Sequence, residues 1–299
     1  MKPKKRRLKY IAILPAFVTL LNGACGFISI FFASRGRELR WSLFFRAGFD
    51  VSSFTLAGYM IILAMIMDML DGRLARLTRT TSSFGGQLDS LTDVISFGVA
   101  PAFLMLKLLE SSLLHPQFES LRFSVLIERV IFFSAILYAM CAVVRLARFN
   151  VENEEDESAH MNFAGLPSPA AAGVVVSFVI LHEHFLSGTN GRLPELYGTF
   201  GIIILYALPL ITFLMSLLMV SRIRYPHLTN QLLRGKKTLP ALLTIFASVL
   251  FIMWNINLAM VFGFCGFVLF GFFRWVIVSL LKKLPSRSRS APPSPSGAN

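Results

Sequence analysis

The sequence is short of charge. Asp, Glu, Lys and Arg together make up 15% of its 299 residues, where a soluble domain carries about 25%. With a mean hydropathy of +0.65, that shortage excludes an ordinary water-soluble globule and places the chain in a bilayer. Cysteine is sparse too. Cys25, Cys141 and Cys265 each sit inside an apolar run, none has a C-x-x-C neighbour, and they read as buried helix-packing thiols. There is no G-x-S-x-G elbow and no Walker A loop, so those two routes to a nucleophile or a phosphate cradle are absent. The five histidines are scattered, apart from His182-Glu183-His184. That triplet falls in an expected outer loop, 182–198, with no further ligands nearby, and is not read as a metal site.

What the chain has in quantity is apolar length. Residues 10–34, 51–70, 85–108, 129–150, 165–181, 199–220, 238–254 and 256–281 are each long and apolar enough to span a bilayer. The expected fold is all-α, a polytopic transmembrane bundle of about eight spans. The first apolar run is too long for a signal-peptide core and lacks a convincing small-residue cleavage site. It follows a basic cluster at residues 1–9. At the other end, residues 282–299 form a basic Pro/Ser-rich tail with the composition of disorder.

The net charge is +13. In a soluble chain that balance would suggest nucleic acid. Here the basic residues flank apolar segments without aromatic interleaving, so the expected partner is anionic lipid and not nucleic acid. Lys and Arg concentrate around 1–9, 71–84, 221–238 and 281–299, which puts both termini in the cytoplasm. The arginines at 35, 37, 40 and 46 run against this assignment. Their loop, 35–50, mixes basic and aromatic residues as interfacial helices do.

Against this background, 68–93 stands out. It reads D-M-L-D-G-R-L-A-R, eight further residues, then G-G-Q-L-D-S-L-T-D. Ionised carboxylates are costly in a bilayer unless something cationic meets them. Asp68 and Asp71 are i, i+3, and Asp89 and Asp93 are i, i+4, so each pair shares a helix face. Antiparallel helices joined by a short turn can aim both pairs at one point, where four oxygen ligands suit Mg²⁺, Mn²⁺ or Ca²⁺. Gly72 and Ala75 allow close approach of a ligand or backbone. Arg76 can meet a phosphate or hold a carboxylate. Two other readings stay open on the residues alone: a salt-bridged hairpin neutralised by Arg73, Arg76 and Arg79, and an intramembrane cation site of a transporter.

The full pattern is D-x2-D-G-x2-A-R-x8-G-x3-D-x3-D, carried by Asp68, Asp71, Gly72, Ala75, Arg76, Gly85, Asp89 and Asp93. It resembles the signature of the CDP-alcohol phosphatidyltransferase family, without departure. The resemblance implies a six-helix catalytic core in which a CDP-linked lipid donates its phosphatidyl group to an alcohol and CMP leaves. By the same resemblance Asp68, Asp71 and Asp89 bind metal, and Asp93 binds metal or acts as general base. Gly72, Ala75, Arg76 and Gly85 line the nucleotide site. It also implies a homodimer in a bacterial inner membrane, with the site facing the cytoplasm.

Other stretches are similar to the serine-specific branch of that family: L-P-A-F-V-T-L-L-N-G-A-C-G in the first helix, S-F-G-V-A-P-A at 96–102, R-L-A-R-F-N at 145–150 and G-L-P-S-P at 165–169. The expected substrates are then CDP-diacylglycerol and L-serine; inositol phosphate, glycerol phosphate and choline are the competing acceptors. No H-x-K occurs, so the phospholipase D-like route to the same product is excluded. Thr19 and Asn22 share a face and reach either the nucleotide or a neighbouring helix. Arg145 and Arg148, with Ser96, are candidates for the serine carboxylate or a lipid phosphate; the alternative for the arginines is snorkelling to the headgroups.

Overall fold

The protein is described by a computed structural model over residues 4–36, 52–78, 83–113, 125–155, 165–188, 194–223, 225 and 255–283. Every regular element among the described residues is helical: α1 Lys4–Ser34, α2 Ser53–Thr78, α3 Ser83–Asp93, a π-helical segment Val94–Val99, α4 Ala100–Leu113, α5 Val125–Glu155, α6 Ser168–Gly188, α7 Pro194–Val220 and α8 Ile256–Lys283. With α3, the π segment and α4 taken together, seven stretches of the described residues are long and apolar enough to cross a membrane. The protein is therefore an integral, all-α membrane bundle. The expected span at 238–254, most of the 35–50 loop and the tail from 284 onward lie outside the described residues.

Helices α2, α4 and α5 each bury one face at heptad-like spacing. On α2 that face is Phe54, Ala57, Ile61 and Ala64; on α4 it is Ala100, Leu104 and Leu108; on α5 it is Ile131, Ala135, Tyr138 and Ala142. Small residues let the backbones close up, as is usual where lipid gives no hydrophobic drive. Gly58 of α2, for example, faces Ile180 and Val176 of α6, with no room for a Cβ. α6 is the central helix: it touches α2, α4, α7 and α8. Its apolar window is 72% buried, against 11% for α8, which sits at the periphery.

One expectation is corrected and a second is refined. The loop expected at 182–198 is largely helical, with α6 continuing to Gly188 and α7 starting at Pro194. Polar His182 and Glu183 stay inside the bundle because partners meet them there. A ring nitrogen of His182 lies 3.0 Å from the Gly201 carbonyl oxygen of α7. The third span is likewise not one regular helix. The Ala100 N–H donates to the Ile95 carbonyl, five residues back, in π-type winding. The sequence supplies the cause at Pro101, which has no N–H for the carbonyl of Phe97 and crowds that carbonyl with its ring. The Tyr138 hydroxyl of α5 donates to the Phe97 oxygen instead, at 3.2 Å.

The link into α6 is fixed to the end of α7. Gly165 N–H donates to the Ile223 oxygen (2.8 Å), and Leu166 N–H to the Leu218 oxygen (3.0 Å). Gly165 has a φ of +98°, and a Cβ there would run into the Met219 carbonyl. Gly165→Ala is expected to cost about 1–3 kcal/mol, read as a lower thermal unfolding midpoint of the purified protein in detergent. An unchanged midpoint would contradict this account of the turn.

Candidate active site

α2 carries its helical winding straight through D-M-L-D-G-R-L-A-R, so Asp68 and Asp71 lie on its last three turns. α3 presents Asp89 and, as its final residue, Asp93. One carboxylate oxygen each from Asp68, Asp71 and Asp89 falls within 4.8 Å of the others. Among the described residues this is the one cluster of three such ligands. Asp93 lies one turn further along α3, only 7% exposed, and it feels the charges of Asp68, Asp71 and Asp89.

Like charges this close repel strongly away from water. Asp71 Oδ2 and Asp89 Oδ1 are buried and accept no hydrogen bond. Of the arginines in the hairpin reading, Arg73 and Arg76 are exposed, and neither forms an ion pair with the cluster among the described residues. Arg76 Nε donates to the Gly72 carbonyl at 2.9 Å. Arg79 lies outside the described residues. The cation that the carboxylates do feel is Arg145 of α5, whose charge acts on Asp93 and Asp68. Hard oxygen donors, unfilled lone pairs and excess negative charge together fit a divalent cation.

α1 closes the site from the side. The single Thr19 hydroxyl proton has two acceptors within reach, the Pro15 carbonyl at 3.0 Å and the Asp71 carboxylate. Asn22 Nδ2 donates to Asp93 Oδ1 at 2.9 Å. Both residues thus reach neighbouring helices, as their shared face allows. Ser96, in the π segment, donates back to the Asn22 carbonyl at 2.9 Å. The approach needs glycine: a Cβ on Gly26 would lie 2.5 Å from Ser96 Oγ, and one on Gly23 would lie 2.9 Å from a Thr92 methyl. On the α2 side, a Cβ on Gly72 would meet nothing within 4 Å. Half-buried Ala75 and Gly85 lie a turn to either side of the carboxylates, so free space adjoins Asp71.

α5 supplies the remaining groups. Arg145 follows Tyr138 and Ala142 on the buried face. Its Nη1 donates to Ser168 Oγ at 3.0 Å, while its Nε is buried without a partner. Arg148 is exposed one turn on. Asn150 Oδ1 accepts from Ser90 Oγ at 2.9 Å, tying α5 to α3. Ser168, Tyr138 and Ser90 were not singled out from sequence, where a lone hydroxyl in an apolar helix carries no signal. Ser168 does lie in the quoted G-L-P-S-P stretch.

Comparison with known proteins gives consistent matches. Residues 12–214, which cover α1 to most of α7, match the family described as CDP-alcohol phosphatidyltransferase. A CDP-diacylglycerol–serine O-phosphatidyltransferase of Helicobacter pylori is 32% identical over 252 residues, covering 84% of this chain and 90% of that protein. One from Methanocaldococcus jannaschii is 31% identical over 225 residues, 75% of this chain and 79% of its own. An archaetidylserine synthase of Methanothermobacter thermautotrophicus is 31% identical over 229 residues, 76% of this chain and 75% of its own.

Removing one ligand from a three-carboxylate site should show directly in cation affinity. Asp68→Asn, Asp71→Asn and Asp89→Asn are each expected to weaken Mn²⁺ binding tenfold or more, about 1.4 kcal/mol, in an electron paramagnetic resonance titration of the purified protein. Unaltered affinity in any one of them removes that residue from the ligand set.

Proposed function

Because the chain belongs to the CDP-alcohol phosphatidyltransferase family, we propose that it transfers the phosphatidyl group of CDP-diacylglycerol to the hydroxyl of L-serine, giving phosphatidylserine and CMP. The observation that carries the acceptor is in the relatives' names. Relatives at 30–32% identity are named CDP-diacylglycerol–serine O-phosphatidyltransferase, and one named for a different lipid, an archaetidylserine synthase, again has serine in its product's name.

In this reading Asp68, Asp71 and Asp89 hold Mg²⁺ or Mn²⁺ (Ca²⁺ being a third candidate), with Asp93 beside them. When bound, the ion neutralises the pyrophosphate and the leaving CMP. Asp93 is the general base. Held by the Asn22 amide as an acceptor, it takes the proton of the serine hydroxyl as the serine Oγ–phosphorus bond forms. The bond from that phosphorus to the bridging oxygen breaks, and CMP carries the bridging oxygen away. Gly72, Ala75 and Gly85 give the nucleotide room, and Thr19 and Arg76 flank it. Asn22, grouped with these residues on sequence, has its amide N–H committed to Asp93. Arg145 serves the acceptor side, with Ser96 and Arg148 as further candidates.

The positive-inside pattern supports a site open to the cytoplasm, where serine is found, with both termini on that side. A bacterial inner membrane and a homodimer complete the proposal.

Purified enzyme in vesicles containing CDP-diacylglycerol is expected to incorporate labelled L-serine, and to ignore inositol phosphate, glycerol phosphate and choline. Chelation with EDTA should abolish the product and Mn²⁺ should restore it. Inert serine with another alcohol turned over would sink the acceptor assignment. Asp93→Asn is expected to lose at least about 100-fold in kcat while Mn²⁺ binding persists. Turnover at the wild-type rate would remove Asp93 as the base.

A further inference from the structure

Two polar atoms on residues that act on Asp93 are buried and unfilled, and they are of opposite kind. The first is Asn22 Oδ1. A carboxylate can only accept, so the amide NH₂ of Asn22 is committed to Asp93 and its oxygen points elsewhere. Asn22 is fully buried, and that oxygen has no donor. The second is Arg145 Nε, a donor with no acceptor. An unmet group of this sort costs about 1–3 kcal/mol, which a ligand of the right polarity relieves. Asn22 reaches Asp93 through a 2.9 Å hydrogen bond, and Arg145 reaches it through its charge.

We propose that the acceptor pocket is a receptor for the whole amino-acid zwitterion, in which Asn22 Oδ1 takes the α-ammonium and Arg145, held in place by Ser168, takes the α-carboxylate. The inference rests on the serine reading above and assigns the groups that select serine. Serine carries both charges on the carbon next to its hydroxymethyl group, so its three polar groups match in kind an acceptor, a guanidinium and a base. Glycerol phosphate would set an anion with no matching cation against the Asn22 oxygen. Choline, with no N–H, cannot fill that acceptor at all. A guanidinium matches a planar carboxylate only when its fork is held still. Ser168 holds it: the residue is fully buried, it is the first residue of α6, and its Oγ accepts from Arg145 Nη1 at 3.0 Å. The two backbone bonds from Gly165 and Leu166 to the end of α7 set its position. Ser168 is thus a positioning residue.

The test is steady-state kinetics of the full chain in vesicles of CDP-diacylglycerol with Mg²⁺, measuring kcat and the KM of each substrate. Ser168→Ala is expected to raise the serine KM about fivefold, with kcat and the donor KM within twofold of wild type, and Ser168→Thr to restore it. Asn22→Ala is expected to raise the serine KM at least tenfold, again with the donor KM within twofold. Its kcat falls as well, because Asp93 loses its bond. A serine KM left unchanged by either alanine variant overturns the proposal. So does a donor KM that rises in step with the serine KM. If Asn22→Ala does not fold, the Ser168 pair decides alone. Failure of the underlying serine reading is visible separately, as a wild-type enzyme that makes no phosphatidylserine.

Discussion

Four carboxylates gathered at one end of an apolar bundle form a constraint to which the surrounding structure answers. Negative charge held close together, away from water, persists only where dipoles and cations are arranged around it. α1 brings a threonine and an asparagine to Asp71 and Asp93, and α5 brings a guanidinium. The glycines of α1 exist in service of this, since the helix must lie against Thr92 and Ser96 for its amide to reach Asp93. The protein meets only part of the charge. Buried oxygens on Asp71 and Asp89 stay without a donor, which is how a site looks when it is built for an ion and not for its own stability.

In the proposed reading the same frame separates the two substrates. Open space adjoins Gly72 on the α2 side, which suits the nucleotide. The unfilled acceptor and donor belong to α1 and α5. Asp93 stands between the two regions at the junction of α3 and the π segment. In the proposed reading a base in that position meets the hydroxyl of one substrate while Asp68, Asp71 and Asp89 serve the pyrophosphate of the other. The signature residues lie on α2 and α3, and the groups proposed for the acceptor lie on helices that the signature does not contain.

Much of this was legible in the sequence. The aspartates announce themselves through spacing, because i, i+3 and i, i+4 leave little freedom once the segment is helical. The apolar runs define the spans for the same reason. What sequence could not give is partnership between distant residues. Asn22 and Asp93 are 71 positions apart, and either polar side chain alone fits several roles. Ser168 and Tyr138 were silent because a lone hydroxyl in an apolar stretch does not name its partner. His182 misled in the opposite direction. A polar triplet lowers local hydropathy and suggests a loop, yet α7 offers the Gly201 carbonyl and keeps the residues helical. Pro101 was in plain view, and its effect on winding follows from its missing N–H.

The π segment has a consequence for how the molecule can change over time. Each residue of an α-helix advances the face by about 100°. The wider turn at Val94–Val99 therefore sets the register between Asp93 and the buried face of α4 independently on its two sides. Loss of a single residue there would keep the span helical and apolar while swinging Asp93 away from Asn22. The segment acts as a phase adjuster between the carboxylate cluster and the packed helix that follows it. Insertions and deletions that a membrane helix would otherwise absorb are, across these six residues, changes in the geometry around Asp93.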